Sequence, residues 1–302
     1  MSNFFLARSR LIGAMAASLM FLAACGGGGT SDAGVGSGGT GFISGVVEKG
    51  PVGSATVIAH AISGGQVGAQ VGTATTDVNG NFSLAIGTYA GPVMLQVSGG
   101  SYIDEATGTS MAMASDDVMT AVMPTIAAGT TTSGIHVTPV TSMAQTRAMG
   151  MSGGMTDANI TAANTAMGNY FSVTDILHVQ PMNPLVTGSG ASANQDARNY
   201  GMTLAALSQY AKSLSMANSS AMVTAMVSDA SDGLMDGKKN GSQISMSMGG
   251  MMGSSMMAAT AGTSDLGAAM AAFTNSPANR SGTTAADMTA LIQKLTHSDG
   301  HI

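Results

Sequence analysis

Residues 42–47 read FISGVV and residues 81–86 read NFSLAI, and between them lies the turn Asp77-Val78-Asn79-Gly80. Apolar residues that alternate or are β-branched are typical of half-buried strands. The Asn-Gly pair supplies the positive φ that a tight hairpin requires. Three more runs of this kind, each bounded by Gly, Pro or Asn, cover residues 55–60, 72–76 and 92–97. The pattern predicts a small antiparallel β-sandwich over residues 42–104.

This strand region resembles the carboxypeptidase-regulatory-like, transthyretin-like β-sandwich modules. The resemblance rests on Gly45-Val46-Val47, Gly50-Pro51-Val52, Ala55-Thr56-Val57 and the run Thr76 to Phe82. It implies a non-catalytic sandwich that serves exported proteins as a spacer, stabiliser or binding platform. The aromatic-rich final strand of that family is reduced here to Met94, Leu95 and Val97, with Tyr102 after it.

After residue 104 the pattern changes. Residues 105–135 are rich in Gly and Thr, which indicates a linker. From residue 136 onward apolar residues recur at helical spacing, notably over 157–170, 193–215 and 288–295. Thr284 and Asp287 form a capping-box-like start for the last of these helices. We therefore expect an all-helical bundle over residues 136–302, with a methionine-rich loop at 246–257, and a segregated, multidomain α+β fold overall.

The N-terminus resembles a bacterial lipoprotein export signal. Arg8 and Arg10 precede an apolar run, Leu11 to Ala24, that is too short to cross a bilayer. The run ends in Leu22-Ala23-Ala24-Cys25, which looks like a lipobox. The resemblance implies removal of residues 1–24 and acylation of Cys25, the only cysteine. Residues 25–41 then form a Gly/Ser-rich flexible tether, and Gly26 after the cysteine favours the outer membrane.

Composition excludes several classes of function. The formal net charge is −6, and only 10 of the 302 residues are Lys or Arg, so a nucleic acid partner is not expected. We find no phosphate-binding Gly-x-x-x-x-Gly-Lys-Ser/Thr loop, and the only glutamates are Glu48 and Glu105. The sequence therefore predicts a protein without catalytic residues.

Methionine is unusually frequent, with 27 residues. Thioethers are soft ligands that suit Cu(I) or Ag(I), and the densest group resembles the Met-rich segments of periplasmic copper-handling proteins. That candidate metal site comprises Met246, Met248, Met251, Met252, Met256 and Met257. Methionine also fills gaps in apolar cores, which is the competing interpretation. The carboxylates Asp229, Asp232 and Asp236 lack the spacing of an EF-hand and indicate a solvated helix end instead.

These observations favour a non-enzymatic protein, lipid-anchored at the outer membrane, that acts as a structural or partner-binding module of the cell envelope. Its partners would be the membrane, through the N-terminal lipid, and an envelope protein. The alternative is a soft-metal or copper-tolerance protein that uses the segment 246–257. A carbohydrate-binding sandwich is disfavoured because aromatic residues make up only 4% of the chain.

Overall fold

The protein is described here from a computed structural model that covers residues 39–114, 116–249 and 253–302. The predicted signal peptide, the acylated Cys25 and most of the tether lie outside the described residues. Within the described ranges, no helix combines the length and apolar character needed to cross a bilayer.

Strands form in the first half of the chain where the sequence predicts them, and the alternation of buried and exposed residues is complete in residues 81–87. The first strand begins at Gly41, one residue before the predicted start of the fold, with Ile43 and Val47 buried and Phe42 exposed. The first five strands are β1 (Gly41–Val47), β2 (Thr56–Ser63), β3 (Gln66–Thr75), β4 (Asn81–Gly87) and β5 (Gly91–Ser98). The next four are β6 (Ser101–Ile103), β7 (Ser110–Ala112), β8 (Val118–Ile126) and β9 (Thr131–Val137).

Two sheets share one hydrophobic core. The first has the order β4-β1-β9 and the second the order β3-β2-β5-β8, and buried side chains of both belong to a single apolar cluster. β6 and β7 form a separate hairpin. The pairing of β1 with β9 is parallel, whereas every other pairing among the nine strands is antiparallel. The expected purely antiparallel sheet is therefore wrong at this one pairing.

Helices cover the other face of the four-stranded sheet. Val93, Leu95 and Val97 of β5 face the shared core between the sheets. Met94, which lies between them, packs with Val122 of β8 in a different cluster. That cluster also contains Ala148, Met155, Ile160 and Ala163 from the helical part of the chain. The described residues therefore stack as sheet, sheet and helices, and they belong to one compact unit.

The predicted linker at 105–135 is wrong. This segment contains β7 and β8 and the start of β9. β8 has buried positions on both faces. One face packs against the three-stranded sheet, and the opposite face packs against the helices. Its outer edge is covered by the start of a helix, where Ser142 Oγ accepts a hydrogen bond from Thr120 N at 2.8 Å. Covering the edge satisfies backbone groups that would otherwise be free to pair with another chain.

The helical predictions for residues 157–170 and 193–215 are confirmed within a few residues. The helices are α1 (Pro139–Gly150), α2 (Asp157–Phe171), α3 (Ser189–Ser192), α4 (Gln195–Ser213), α5 (Ser219–Asp229), α6 (Leu266–Thr274) and α7 (Thr289–His297). Thr138 caps α1, with Pro139 at its first position. The N-cap of α2 is Thr156, whose hydroxyl accepts a hydrogen bond from Asn159 N.

The region after residue 136 is not all-helical. Four short strands, paired as two hairpins, interrupt it: β10 (Lys238–Lys239) with β11 (Ser242–Gln243), and β12 (Ser245–Ser247) with β13 (Ser254–Met256). The strands of the second hairpin include residues 246–247 and 254–256 of the methionine-rich segment, which we expected to be a loop. The alternation in Ser245-Met246-Ser247 covers only three residues, which is too few to distinguish a strand from a loop by sequence. The fold is mixed α+β.

Candidate functional site

A buried lysine lies where the strands meet the helices. Lys49 follows β1 in a tight turn whose next residue, Gly50, has φ +60°. A Cβ at Gly50 would lie 2.5 Å from the carbonyl oxygen of Ile103, so glycine lets this turn approach β6. The Lys49 side chain is only 2% exposed. Around it lies a set that we call the lysine cluster: Lys49, Tyr102, Asp104, Glu105, Ser208 and Ser219.

The polar atoms of the lysine cluster are close together. Lys49 Nζ lies 3.0 Å from Glu105 Oε2 and 3.9 Å from Asp104 Oδ2. Ser208 Oγ, from α4, is 2.5 Å from both Lys49 Nζ and Glu105 Oε2. The ammonium also lies 4.9 Å from the centre of the Tyr102 ring, within the range of a cation–π contact. The charged groups of Lys49 and Glu105, from the strand region, thus contact the hydroxyl of Ser208 on α4 directly.

The two carboxylates of the lysine cluster differ in the hydrogen bonds that they accept. Asp104 accepts hydrogen bonds from the backbone amides of Ala106 and Thr107, from the Thr107 hydroxyl and from Ser219 Oγ. Glu105 Oε1, by contrast, is buried and has no hydrogen-bond partner. A buried oxygen without a donor carries its full desolvation cost.

Electrostatics favour the charged forms of Lys49 and Asp104. Burial alone would lower the pKa of Lys49, but the charges of Glu105 and Asp104, with Tyr102, raise it above its ordinary value. Burial would likewise raise the pKa of Asp104. The nearby Lys49 ammonium and the hydroxyls of Ser219 and Thr107 lower it instead. The lysine cluster is an ion pair that lies between elements of the fold.

Asp117 gives the strand region a further polar contact with α5, and a second buried pair, Glu48 with His136 of β9, lies within the strand region. Asp117 accepts hydrogen bonds from Ser220 Oγ and, at 2.7 Å, from Thr224 Oγ1, both on α5. Glu48 Oε2 lies 2.7 Å from His136 Nδ1, and both residues are buried. Side-chain hydroxyls of α4 and α5 therefore meet three carboxylates of the strand region.

The spaces beside these charges are small. One cavity, of about 10 Å³, is lined by Lys49, Tyr102 and Asp117. Another, of about 20 Å³, is lined by Glu48 and Glu105. A cavity of about 10–15 Å³ holds one water molecule. These spaces have room for a water and not for an organic substrate.

The structure places the predicted metal ligands in different environments. Met246 and Met257 are buried in the helical core, and Met248 is partly buried against it. Met256 is 59% exposed. Met251 and Met252 lie outside the described residues. The six thioethers were predicted to form one site, and the described four divide between core and surface.

Three of these methionines nevertheless line one cavity. Met246, Met248 and Met256 border a space of about 500 Å³ between the β12–β13 hairpin and helices α4 and α6. Its other walls include Leu214, several alanines, Tyr210 and Asp265, and the Tyr210 hydroxyl donates to Asp265 Oδ2 at 3.3 Å. Burial, together with the Asp265 charge, raises the pKa of Tyr210. Met257 does not line this cavity. In the described residues, no group of three or more His, Cys, Asp or Glu is placed to hold a metal ion.

Asp229 is the one member of the predicted acidic helix end that is fully buried. Its Oδ1 accepts from the backbone amides of Gly237 at 2.7 Å and Asp236 at 3.1 Å, whereas Oδ2 has no partner. Burial raises the pKa of Asp229 to about 7. The interpretation of a solvated helix end is therefore wrong for this residue, which closes the turn after α5.

Sequence reasoning missed the lysine cluster. Lys49 stands in Glu-Lys-Gly-Pro, a pattern typical of an exposed turn, and its partners come from positions 56 and 159 residues later. The available signal was that both glutamates of the chain, Glu48 and Glu105, fall in the strand region. No protein-family model and no curated protein sequence matches this chain.

Proposed function

We propose that this chain is a non-enzymatic, lipid-anchored protein of the cell envelope that acts as a structural or partner-binding module. The proposed anchor is Cys25, acylated after removal of residues 1–24, at the outer membrane. We further propose that the strand-rich part is a carboxypeptidase-regulatory-like sandwich, held against a helical part that completes the module.

The observation that carries this proposal is the lysine cluster. Its ionisable groups all come from the strand region, and they bond to one another and to the helix hydroxyls of Ser208 and Ser219. Both Lys49 and Glu105 side chains are 2% exposed. Adjacent cavities are water-sized. Catalytic groups must reach a substrate, whereas groups arranged in this way hold elements together. A rigid module on a long Gly-rich tether suits a spacer or binding platform outside the cytoplasm.

Replacing Cys25 with serine tests the anchor. We expect the wild-type chain, expressed in a diderm bacterium, to sediment with membranes. It should stay in the membrane pellet after a high-salt wash and be released by detergent. The Cys25→Ser chain, which lacks the thiol that receives the lipid, should remain in the soluble fraction. Ser31→Ala, in the same Gly-rich segment, serves as the matched control and should behave as wild type. Equal solubility of wild type and Cys25→Ser would contradict the proposal.

The second candidate function is soft-metal binding, and the cavity lined by Met246, Met248 and Met256 favours it. Three neutral thioethers are a ligand set suited to Cu(I) or Ag(I). Of the six methionines expected from sequence, Met257 does not line the cavity, and Met251 and Met252 lie outside the described residues.

Titration with Cu(I) or Ag(I) against a chromogenic chelator, under reducing conditions, tests the metal site. If the cavity binds metal, we expect a Kd below about 1 μM, equivalent to about 8 kcal/mol. Replacing Met246, Met248 and Met256 together with leucine should then abolish binding with little change in volume. The control replaces Met111, Met149 and Met151, which lie outside the cavity, and should leave binding unchanged. Failure of the wild-type chain to compete with the chelator would remove this candidate.

A further inference from the structure

The pair Lys49 and Glu105 combines three features that are unusual for a salt bridge. Both side chains are 2% exposed, and Nζ lies 3.0 Å from Oε2. The second carboxylate oxygen, Oε1, is buried without any donor. A second carboxylate, Asp104, lies 3.9 Å from the same nitrogen. An amine, a carboxyl group and an adjacent proton acceptor are thus held together away from bulk solvent.

We propose that Lys49 and Glu105 become joined by an intramolecular amide bond between Nζ and Cδ after the chain folds. The ammonium first passes a proton to the Glu105 carboxylate along their hydrogen bond, which yields an amine and a carboxylic acid. The nitrogen then forms a bond to Cδ, and the bond from Cδ to one oxygen breaks. Asp104 accepts a proton from the nitrogen and delivers it to the departing hydroxyl. The net change converts one ammonium and one carboxylate into one amide and one water, with no oxidation.

The environment suits the product better than the ion pair. Each buried ion carries a desolvation cost of several kcal/mol, which an amide does not. Condensation removes one oxygen of Glu105, and so removes the unpartnered atom. The remaining carbonyl oxygen can accept from Ser208 Oγ, which is already 2.5 Å from Oε2. The amide N–H faces Asp104, whose other hydrogen bonds come from Ala106, Thr107 and Ser219.

Asp104 is fixed in the position that its role requires. Its Oδ1 is held by the backbone of its own turn, so Oδ2 stays directed at Ser219 and Lys49. It keeps its charge at the end of the reaction and acts only as a carrier of protons. Lys238 and Asp236 provide a contrast, because their 3.8 Å pair is 40% and 28% exposed. Water solvates both of those charges, and that pair remains ionic.

The bond would give the fold a covalent closure that its single cysteine cannot supply. It would join the end of β1 to the β6–β7 loop, 56 residues apart. A cross-link of this kind restricts the unfolded chain as a disulfide does, without depending on the redox state of the compartment. This inference concerns the folded part alone and does not depend on the Cys25 anchor.

Peptide mapping of the purified, folded full-length chain, denatured before digestion, tests the proposal. Trypsin requires a free ammonium, so we expect the Lys49–Gly50 bond to resist cleavage while the bond after Lys238 is cut. The resulting peptide, which runs to Arg147, should lack the mass of one water molecule. Cleavage after Lys49, with a peptide 50–147 of full mass, would overturn the proposal, and this measurement needs no variant.

A conservative variant identifies the atom that leaves. In Glu105→Gln the same bond forms with loss of ammonia, so the cross-linked peptide should have the same mass as that of the wild type. In Lys49→Arg the guanidinium does not condense, and both peptides should retain their full masses. If the wild-type mass deficit persisted in Lys49→Arg, the water would have been lost elsewhere and the assignment to Lys49 would be wrong.

Discussion

Replacing Lys49 with methionine is expected to lower the free energy of unfolding by about 3–5 kcal/mol relative to a wild-type chain whose Lys49–Glu105 pair is still ionic, the usual cost of removing one partner from a buried ion pair. Relative to a chain in which the proposed amide has formed, the loss is larger, because the cross-link is lost as well. Methionine matches the length of the lysine stem, so the loss is mainly electrostatic. It leaves the buried carboxyl group of Glu105 with Ser208 as its only described hydrogen-bond partner. Urea unfolding at neutral pH, followed by circular dichroism, measures the change.

A compensating variant separates charge from packing. In Lys49→Met combined with Glu105→Met, both charges are replaced by apolar side chains of similar length, which often restores stability. Asp104 remains satisfied, because four donors other than Lys49 surround it. We therefore expect the double variant to be more stable than Lys49→Met alone. A single variant within about 1 kcal/mol of wild type would show that the lysine cluster does not hold strands to helices.

Gly45→Ala should have a second large effect, at the parallel pairing of β1 with β9. A Cβ at Gly45 would lie 1.8 Å from the carbonyl oxygen of Ile135 and 2.6 Å from its carbonyl carbon. Both are backbone atoms, so relief requires the two strands to separate where their register already shifts. We expect a loss of about 3 kcal/mol or more, measured as a lower urea midpoint.

Gly68→Ala is the matched control for this variant. Gly68 also lies in a strand, β3, and the nearest atom to its added Cβ is Ala61 O at 3.1 Å. The sheet edge there can yield by a few tenths of an ångström, and alanine also restricts the unfolded chain. We expect a change of about 1 kcal/mol or less. Equal losses in Gly45→Ala and Gly68→Ala would contradict a specific role for the close approach of β1 and β9.

Local signals predicted the elements whose pattern is complete within a few residues. The Asn79-Gly80 turn lies between β3 and β4 as expected, with Asn79 N and Asn81 N donating to Asp77 Oδ1. The apolar spacing of residues 157–170 predicted α2 almost to its last residue. In both cases the hydrogen bonds that decide the conformation join neighbours in sequence.

Elements that depend on distant partners were not predictable in this way. β9 reads Thr-Thr-Ser-Gly-Ile-His-Val, a weak strand pattern, and it forms because β1 supplies a parallel partner ninety positions earlier. β8 contains Pro124 and adjoins Gly/Thr-rich sequence, so composition favoured a linker over a strand buried on both faces.

The candidate site shows the same limit. The sequence left open whether the methionines of residues 246–257 bind metal or fill the core, and the structure places Met246 and Met257 in the helical core. It gave no reason to expect Lys49 to be buried, because the residues that exclude water from it come from β6, α4 and α5. A charged residue is buried by residues that are distant in sequence, and the local sequence pattern does not show which residues these are.

The most direct test of the central claim is the mass of the N-terminal peptide of the protein purified from membranes. A second sample of the same protein, from which alkali has removed the ester-linked acyl chains, provides the matched mass for comparison. The account predicts that residues 1–24 are absent and that the chain begins at Cys25, with a diacylglyceryl group on sulfur that alkali deacylates. A peptide that retains Ala24 before an unmodified Cys25 would contradict a lipid-anchored envelope protein.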